Sequence, residues 1–317
     1  MQEFKICKAD TPELYRGLRG LWCEVFGDPP EFVDTIYDIF DSDISGYVMA
    51  DEEGKVAAAV TCYRCGAYEI PPADEPDLPE MDPQEPLPAY VSYAVCTAPE
   101  FRGRGLASEL TAYVRDKILT EGGVSIVSPA TEELISFYEA LGYRPCFTSS
   151  EQAAFADMAS GFGEGWEEDE DDFDDYEPFE PELSVIPADP DTYNKYREAF
   201  LAGVPHIALT NEMLEAVRAE SAGGDGLLII NGGDAICVLA DDGQMTGEAA
   251  ALELLVNPML ADISFEIEGE IAARLARGLG VFLLKYRSDG QMKLQSMIVL
   301  PDDKVYRDGS YFGFPLD

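Results

Sequence analysis

Residues 89–110, AYVSYAVCTAPEFRGRGLASEL, constrain the fold of this chain more than any other segment. An apolar run up to Thr97 predicts a β-strand, a turn containing Pro99 follows, and a long helix is predicted to begin after Arg102. Glycines at this junction let the backbone approach a ligand, and the first amides of a helix attract anions. Two arginines add charged hydrogen-bond donors. The segment therefore predicts a phosphate-binding loop.

Two other interpretations fit the same residues. A dinucleotide-binding loop requires G-x-G-x-x-G, but Gly103 and Gly105 are followed by Ser108 where the third glycine belongs. Glu121 lies near the position at which that fold places an acid for the ribose. The other alternative is a glycine-rich turn between a strand and a helix, with arginines that only contact solvent.

The formal net charge of −41 restricts the binding partners. Such a field repels nucleic acids and anionic membrane surfaces, so neither is expected as a partner. It attracts cations, which favours a cationic or amine substrate. The same charge would be expected if all proteins of the source organism were acidic, or if the protein were adapted to high salt.

Cysteine and histidine usage favours a reduced protein without a metal site. The seven cysteines are scattered, the one CxxC, Cys62-Tyr63-Arg64-Cys65, lies in a strand-like run, and His206 is the single histidine. No Ser-His-Asp or Cys-His nucleophile is predicted, because His206 lies far in sequence from any such motif. No apolar run is long enough to span a membrane, and residues 1–5 lack a secretory signal, so a soluble, cytoplasmic protein is expected.

Before the predicted loop, the pattern indicates helices and then a hairpin. Asp10-Thr11-Pro12 is a helix start, and Gly27 ends that helix. A second helix is predicted over 32–40, and strands over 47–50 and 56–67. Residues 71–88, rich in Pro, Asp and Glu, are predicted to be a loop, either a lid on the substrate side or a flexible insertion.

After the loop helix, a strand is predicted over 124–128 and then another helix. In that helix Leu134, Phe137, Tyr138 and Leu141 recur at helical spacing, and Gly142 caps it. Judged from its spacing alone, Tyr138 is a core aromatic.

Two motifs together resemble the GNAT acetyltransferase superfamily. The order R-x-x-G-x-A, filled by Arg102, Gly105 and Ala107, is similar to the coenzyme A loop Q/R-x-x-G-x-G/A of that superfamily. The segment FYEALGY is similar to its F-Y-x-x-x-G-F/Y pattern. The resemblance implies an α/β (α+β) fold with a mixed, largely antiparallel twisted sheet flanked by helices, and acetyl-coenzyme A as cosubstrate.

The same resemblance assigns roles to residues. Tyr138 would be the general acid that protonates the thiolate leaving group. Cys96 is expected to pack in its strand and not to act as a nucleophile. The residues that would bind the cofactor are Val95, Cys96 and Thr97 at the strand end and Arg102, Gly103, Arg104, Gly105, Leu106 and Ala107 in the loop.

The sequence does not identify the general base. Glu69, Ser92 and Tyr93 lie on the strands expected to flank the site, and a water molecule could carry the proton. In the similar enhanced-intracellular-survival type of multi-domain acetyltransferases, the C-terminal carboxylate reaches the active site, which makes Asp317 a fourth candidate. That family's third, sterol-carrier-like domain is not expected in this sequence, so the similarity is partial.

The predicted domain organisation is tandem. Residues 1–160 would form the catalytic domain, 161–182 an acidic linker, and 183–317 a degenerate GNAT-like domain that repeats the element order but lacks both motifs. Arg277-Gly278-Leu279-Gly280 is no substitute for the loop, because it is predicted at a helix C-terminus, where the helix dipole repels phosphate.

The function predicted from these features is N-acetyl transfer from acetyl-coenzyme A to the primary amine of a small, cationic molecule by direct attack. The alternatives are acetylation of a protein or peptide, which needs a groove for an extended backbone, and acyl-coenzyme A binding without catalysis. Whether the protein is a monomer or a dimer stays open.

Overall fold

The structure is a computed structural model of the chain. It describes residues 3–71, 85–153, 184–220, 226–241, 249–261, 283–286, 292–302, 304 and 310–313. Among these residues, no helix combines the length and the apolar character needed to cross a membrane.

Contacts divide the chain into two compact units. Unit 1 comprises Met1–Ser150, Leu201–Ala219 and Ser288–Asp317, and unit 2 comprises Glu151–Phe200 and Glu220–Arg287. Parts of the predicted second domain are thus grouped with the first half of the chain. The domain boundaries predicted after residues 160 and 182 stay a prediction.

The described helices and strands of unit 1 come from its three segments of the chain. The helices are α1 (Pro12–Phe26), α2 (Pro30–Phe40), α3 (Leu106–Thr120), α4 (Glu132–Ala140) and α6 (Asn211–Glu220, whose last residue falls in unit 2). The strands are β1 (Lys5–Lys8), β2 (Ile44–Ala50), β3 (Val56–Glu69), β4 (Leu87–Thr97), β5 (Val124–Val127), β6 (Arg144–Ala153, which ends in unit 2), β8 (His206–Leu209) and β13 (Met292–Val299).

Helix α1 begins and ends at its predicted residues. The Thr11 hydroxyl accepts a hydrogen bond from the Leu14 amide at 3.3 Å, and Pro12 occupies the first helical position, where no amide is needed. Gly27 ends the helix in the left-handed conformation, with φ 84°. On its inner face, the buried Trp22 ring contacts Tyr93 of β4 at 5.2 Å between centroids.

The sheet of unit 1 has the order β1-β2-β3-β4-β5-β13-β6, and β8 pairs with the far end of β3. Among the named strand pairs described in this unit, β4 and β5 alone are parallel. A dinucleotide-binding fold requires an open parallel sheet, so the antiparallel pairing excludes that alternative for the glycine loop.

Strand β13, from the C-terminal part of the chain, lies between β5 and β6. It pairs antiparallel with both, and Met297 is opposite Val127 on one side and Pro145 on the other. Phe312 packs against Phe147 of β6, with 5.4 Å between ring centroids. The core around β5 therefore depends on residues about 170 positions away in sequence.

The described strands of unit 2 pair with one another in both parallel and antiparallel orientation. These strands are β7 (Val185–Pro187), β9 (Leu227–Ile230), β10 (Ala235–Asp241), β11 (Ala249–Val256) and β12 (Leu283–Tyr286), in the order β12-β11-β10-β9-β7, and the described helices of the unit are α5 (Pro190–Phe200) and α7 (Pro258–Ala261). The β7–β9, β9–β10 and β10–β11 pairs are antiparallel, and β11–β12 is parallel. Helix α5 packs on these strands through the fully buried Arg197, whose Nε donates to the buried Glu253 carboxylate at 3.1 Å.

The fold class is confirmed: a mixed, largely antiparallel sheet flanked by helices. The sequence pattern did not predict two of the described strands, β6 and β8. The loop predicted over 71–88 ends earlier than expected, because Leu87 and Pro88 already pair in β4. Residues 72–84, the acidic linker and the helix predicted near 270–277 lie outside the described residues.

Candidate functional site

The glycine loop connects β4 to α3 through a short 3-10 turn at Pro99–Phe101. Gly103 and Gly105 adopt φ values of 75° and 80°, a left-handed backbone that most other residues avoid. A Cβ atom at either position would meet nothing within 4 Å. The space above both glycines is therefore open to a ligand.

The N-terminus of α3 carries no side-chain cap. Gly105 occupies the cap position, and the amide of Glu109 makes the first helical hydrogen bond, to the Gly105 carbonyl at 3.0 Å. The amides of Leu106 and Ala107 lie in the first turn, where an α-helix has no carbonyl partner for them. These amides and the helix dipole can bind an anion.

The two arginines of the loop are held differently. The Arg102 Nε donates to the Thr97 carbonyl at 3.2 Å, which ties the loop to the end of β4. The Arg104 guanidinium carbon lies 5.0 Å from the centre of the Phe4 ring. Both side chains are exposed, so the loop presents two positive charges to solvent.

Strand β4 contains a β-bulge just before its end. Tyr93 is opposite Thr61 and Cys96 is opposite Ala59, so Ala94 and Val95 share one position of β3. Ala94 has φ 50°, unusual for a residue with a Cβ atom. Bulges of this kind change the direction of the strand and occur often beside active sites.

Strands β4 and β5 pair over only a short distance. Their register runs from Ala89 opposite Val124 to Val91 opposite Ile126, and no described strand continues this pairing along residues 92–97. On its other side, β5 pairs with β13. Backbone groups of Val95 and its neighbours therefore face an open edge, next to the glycine loop.

Tyr138 lies at the same end of the sheet. It packs in a cluster with Val127, the last residue of β5, and with Tyr143 and Met297. Its side chain is 6% exposed, and this burial raises the pKa of Tyr138 to about 12. The phenol therefore keeps its proton at neutral pH and can act only as a proton donor there.

Cys96 lies on β4 but is unsuited to nucleophilic attack. Its side chain is 4% exposed, and burial raises the pKa of the thiol to about 12. Since the thiolate is the reactive form, little of it exists at neutral pH.

The candidate bases lie at different distances from the bulge. Tyr93 adjoins it in sequence, is half-buried, and faces Trp22 of α1. Ser92 is buried. Glu69 lies nine residues along β3 from Val60, roughly 30 Å at about 3.4 Å per residue, which disfavours it as a base at the bulge. Asp317 lies outside the described residues.

Sequence reasoning missed two parts of this site. The bulge at Ala94 has no signature in the sequence, because alanine rarely adopts a positive φ. Phe4 lies about 100 residues before Arg104, and only the tertiary fold brings them together.

Comparisons with known proteins identify a family for the segment that contains these residues. Residues 11–143 match the model of the acetyltransferase (GNAT) family, a range that includes the glycine loop and Tyr138. No curated protein matches the chain in sequence. The chain therefore carries a GNAT acetyltransferase domain, which makes it an acyltransferase.

Solved structures resemble both halves of the chain. GCN5-related N-acetyltransferases from Anabaena variabilis ATCC 29413 and Kribbella flavida align with TM-scores of 0.60 and 0.56, at 15% and 18% identity; each alignment covers 94% of this chain, and 73% and 71% of those chains. Eis1 from Mycobacterium abscessus aligns with a TM-score of 0.55 at 11% identity, over 94% of this chain and 73% of that one. At such identities the likeness concerns the fold.

Proposed function

We propose that the GNAT domain moves an acetyl group from acetyl-coenzyme A to the primary amine of a small, cationic molecule. The observation that carries this proposal is the open edge of β4 at the Ala94 bulge. That edge lies between the uncapped start of α3 and the end of β5, where Tyr138 packs.

The chain's residues fit the cosubstrate at two points. The pyrophosphate would bind the first amides of α3 and the side chains of Arg102 and Arg104, since the space above Gly103 and Gly105 is open. The pantetheine arm contains amides, which can pair with the backbone groups of residues 95–97 as an added strand would.

The chemistry is direct transfer. The neutral amine nitrogen attacks the thioester carbonyl carbon, a C–N bond forms, and the C–S bond breaks. The leaving thiolate takes the phenol proton of Tyr138, and the proton lost by nitrogen passes to a base or to water. Among the four candidate bases, Tyr93 is favoured as the contact for that water, because it adjoins the bulge.

The net charge of −41 supports a cationic acceptor. A strongly negative field raises the local concentration of cations and speeds their association. It also implies that acetyl-coenzyme A, itself an anion, depends on the positive charges of the glycine loop to bind.

The direct test is thiol release from acetyl-coenzyme A with a library of small amines, with lysine peptides in a separate arm. We expect turnover with small cationic amines. Turnover with peptides alone would favour protein acetylation instead. Binding of acetyl-coenzyme A without any thiol release would favour a non-catalytic binding protein.

A matched pair of glycine variants tests the placement of the phosphate. Gly105 and Gly122 have nearly equal φ values, 80° and 78°, and a Cβ atom at either position meets nothing within 4 Å. A glutamate at either therefore adds the same strain and charge, at the start or just past the end of α3. We expect Gly105→Glu to weaken acetyl-coenzyme A binding roughly tenfold or more by calorimetry. If Gly122→Glu weakens binding equally, the phosphate does not bind at the loop.

A further inference from the structure

The N-terminal segment supplies an aromatic contact to the glycine loop. Phe4 precedes β1 and is half-buried, and its ring meets that of the buried Phe101 edge-on, with 5.1 Å between centroids. The Arg104 guanidinium carbon lies 5.0 Å from the Phe4 centroid and 5.7 Å from the Phe101 centroid. Both distances are within the range of cation–π attraction.

A second cation lies over Phe101 but belongs to another part of the chain. The Lys55 ammonium lies 4.9 Å from the centre of the Phe101 ring and forms an ion pair with Glu100 at 2.9 Å. Lys55 also lies on the β2–β3 hairpin and not in the glycine loop. Lys55 therefore serves as a control for Arg104, because it is a cation on the same ring but lies outside the loop.

We propose that Phe4 is a positioning residue for acetyl-coenzyme A, acting through Arg104. Its ring holds the guanidinium beside the first turn of α3 before the cosubstrate arrives. An arginine that is already ordered loses less side-chain entropy when it binds a phosphate group. This inference rests on the proposed function and adds a residue outside the two family motifs.

The proposal predicts an effect confined to donors that carry phosphate. We expect Phe4→Leu, which keeps apolar volume but removes the π face, to raise KM for acetyl-coenzyme A about three- to fivefold and to leave kcat unchanged. With S-acetylpantetheine, which carries no phosphate, KM should not change. Phe4→Trp should restore the KM for acetyl-coenzyme A, because it restores an aromatic face.

Controls separate this role from a structural one. Lys55→Met and Phe26→Ala, which removes an aromatic ring that is 49% exposed, should leave both KM values unchanged. In an Arg104→Ala background, Phe4→Leu should have no further effect on KM, because the two residues act as one unit. Thermal unfolding of every variant shows whether it folds.

Two outcomes would overturn the proposal. An equal rise in KM for both donors, or a fall in kcat, would mean that Phe4 only supports the fold. An unchanged KM for acetyl-coenzyme A would mean that Arg104 does not need the ring. Failure of the proposed function is distinguishable, because the unsubstituted protein would then release no thiol from acetyl-coenzyme A with small amines.

Discussion

Two neighbouring tyrosines, Tyr138 and Tyr143, contact different positions of β5. The Tyr143 hydroxyl shares a 2.8 Å hydrogen bond with the Ser125 hydroxyl on β5. Tyr138 packs against Val127, two residues further along the same strand, at the end where β4 and β5 separate. The same residue type is therefore expected to support the fold at position 143 and the chemistry at position 138.

Removing each hydroxyl should separate these roles. We expect Tyr138→Phe to lower kcat about a hundredfold through loss of the proton donor, with stability nearly unchanged. Tyr143→Phe should lower the free energy of unfolding by about 1 kcal/mol, since it leaves Ser125 without this bond, and kcat should change little. Steady-state kinetics and urea unfolding measure the two effects. Undiminished turnover in Tyr138→Phe would remove the acid assignment.

The pKa of Tyr138 predicts the alkaline side of the pH profile. In the proposed mechanism the protonated phenol is the active form, and burial raises its pKa from 10.0 to about 12. The acid is therefore lost only near pH 12, and kcat should show no decline up to about pH 10. The measurement is kcat against pH between about 6 and 10. An alkaline decline in that range that vanishes in Tyr138→Phe would contradict the raised pKa of Tyr138.

At the scale of elements, the bulge in β4 lies at the open strand edge of the candidate site. Two residues, Ala94 and Val95, occupy one position opposite β3, and the left-handed conformation of Ala94 makes this possible. An alanine in this conformation costs about 1–2 kcal/mol relative to an ordinary strand conformation. Strain of this size is typical of functional sites, where the surrounding structure maintains it.

Substitutions of Ala94 should report on that strain. We expect Ala94→Val to lower the free energy of unfolding by about 1–3 kcal/mol, because a β-branched residue tolerates positive φ poorly, and to raise KM for acetyl-coenzyme A. Ala94→Gly should leave stability unchanged or raise it by up to about 1 kcal/mol, since glycine adopts this conformation freely. Urea unfolding provides both values. A Val variant as stable as the Gly variant would mean that the bulge is not strained.

At the scale of the whole molecule, the C-terminal segment completes the sheet of unit 1. Met297 and Ile298 of β13 and Phe312 are almost fully buried, at 0%, 1% and 0% exposure. Burying a large apolar side chain stabilises a protein by about 1.5–3 kcal/mol, so the three contribute roughly 5 kcal/mol or more. Typical domains are stable by about 5–15 kcal/mol, so this contribution is decisive.

A chain truncated to residues 1–160 should therefore fail to fold cooperatively. It would lack β8 and β13, leaving β5 and β6 without their shared neighbour. We expect no cooperative thermal transition by circular dichroism, and at least partial recovery when a peptide of residues 201–317 is added. If the truncated chain unfolds at the same temperature as the full chain, the first half is an independent domain after all.

The sequence determined those features that depend on local chemistry. Thr11 and Pro12 favour the start of a helix, and Gly27, Gly103 and Gly105 can adopt the left-handed backbone that most residues avoid. The boundaries of α1 and the start of α3 could therefore be predicted. The two family motifs likewise lie on continuous segments, and the family match covers both.

The tertiary structure alone decided which distant segments meet. Strand β13 pairs with β5 across about 170 residues, and Phe4 contacts Arg104 across about 100. Such pairings depend on the edges and faces that the rest of the fold leaves uncovered, and no periodicity within either segment encodes them. The glycine loop could thus be predicted from residues 102–107, whereas the strand between β5 and β6 and the ring beside Arg104 could not.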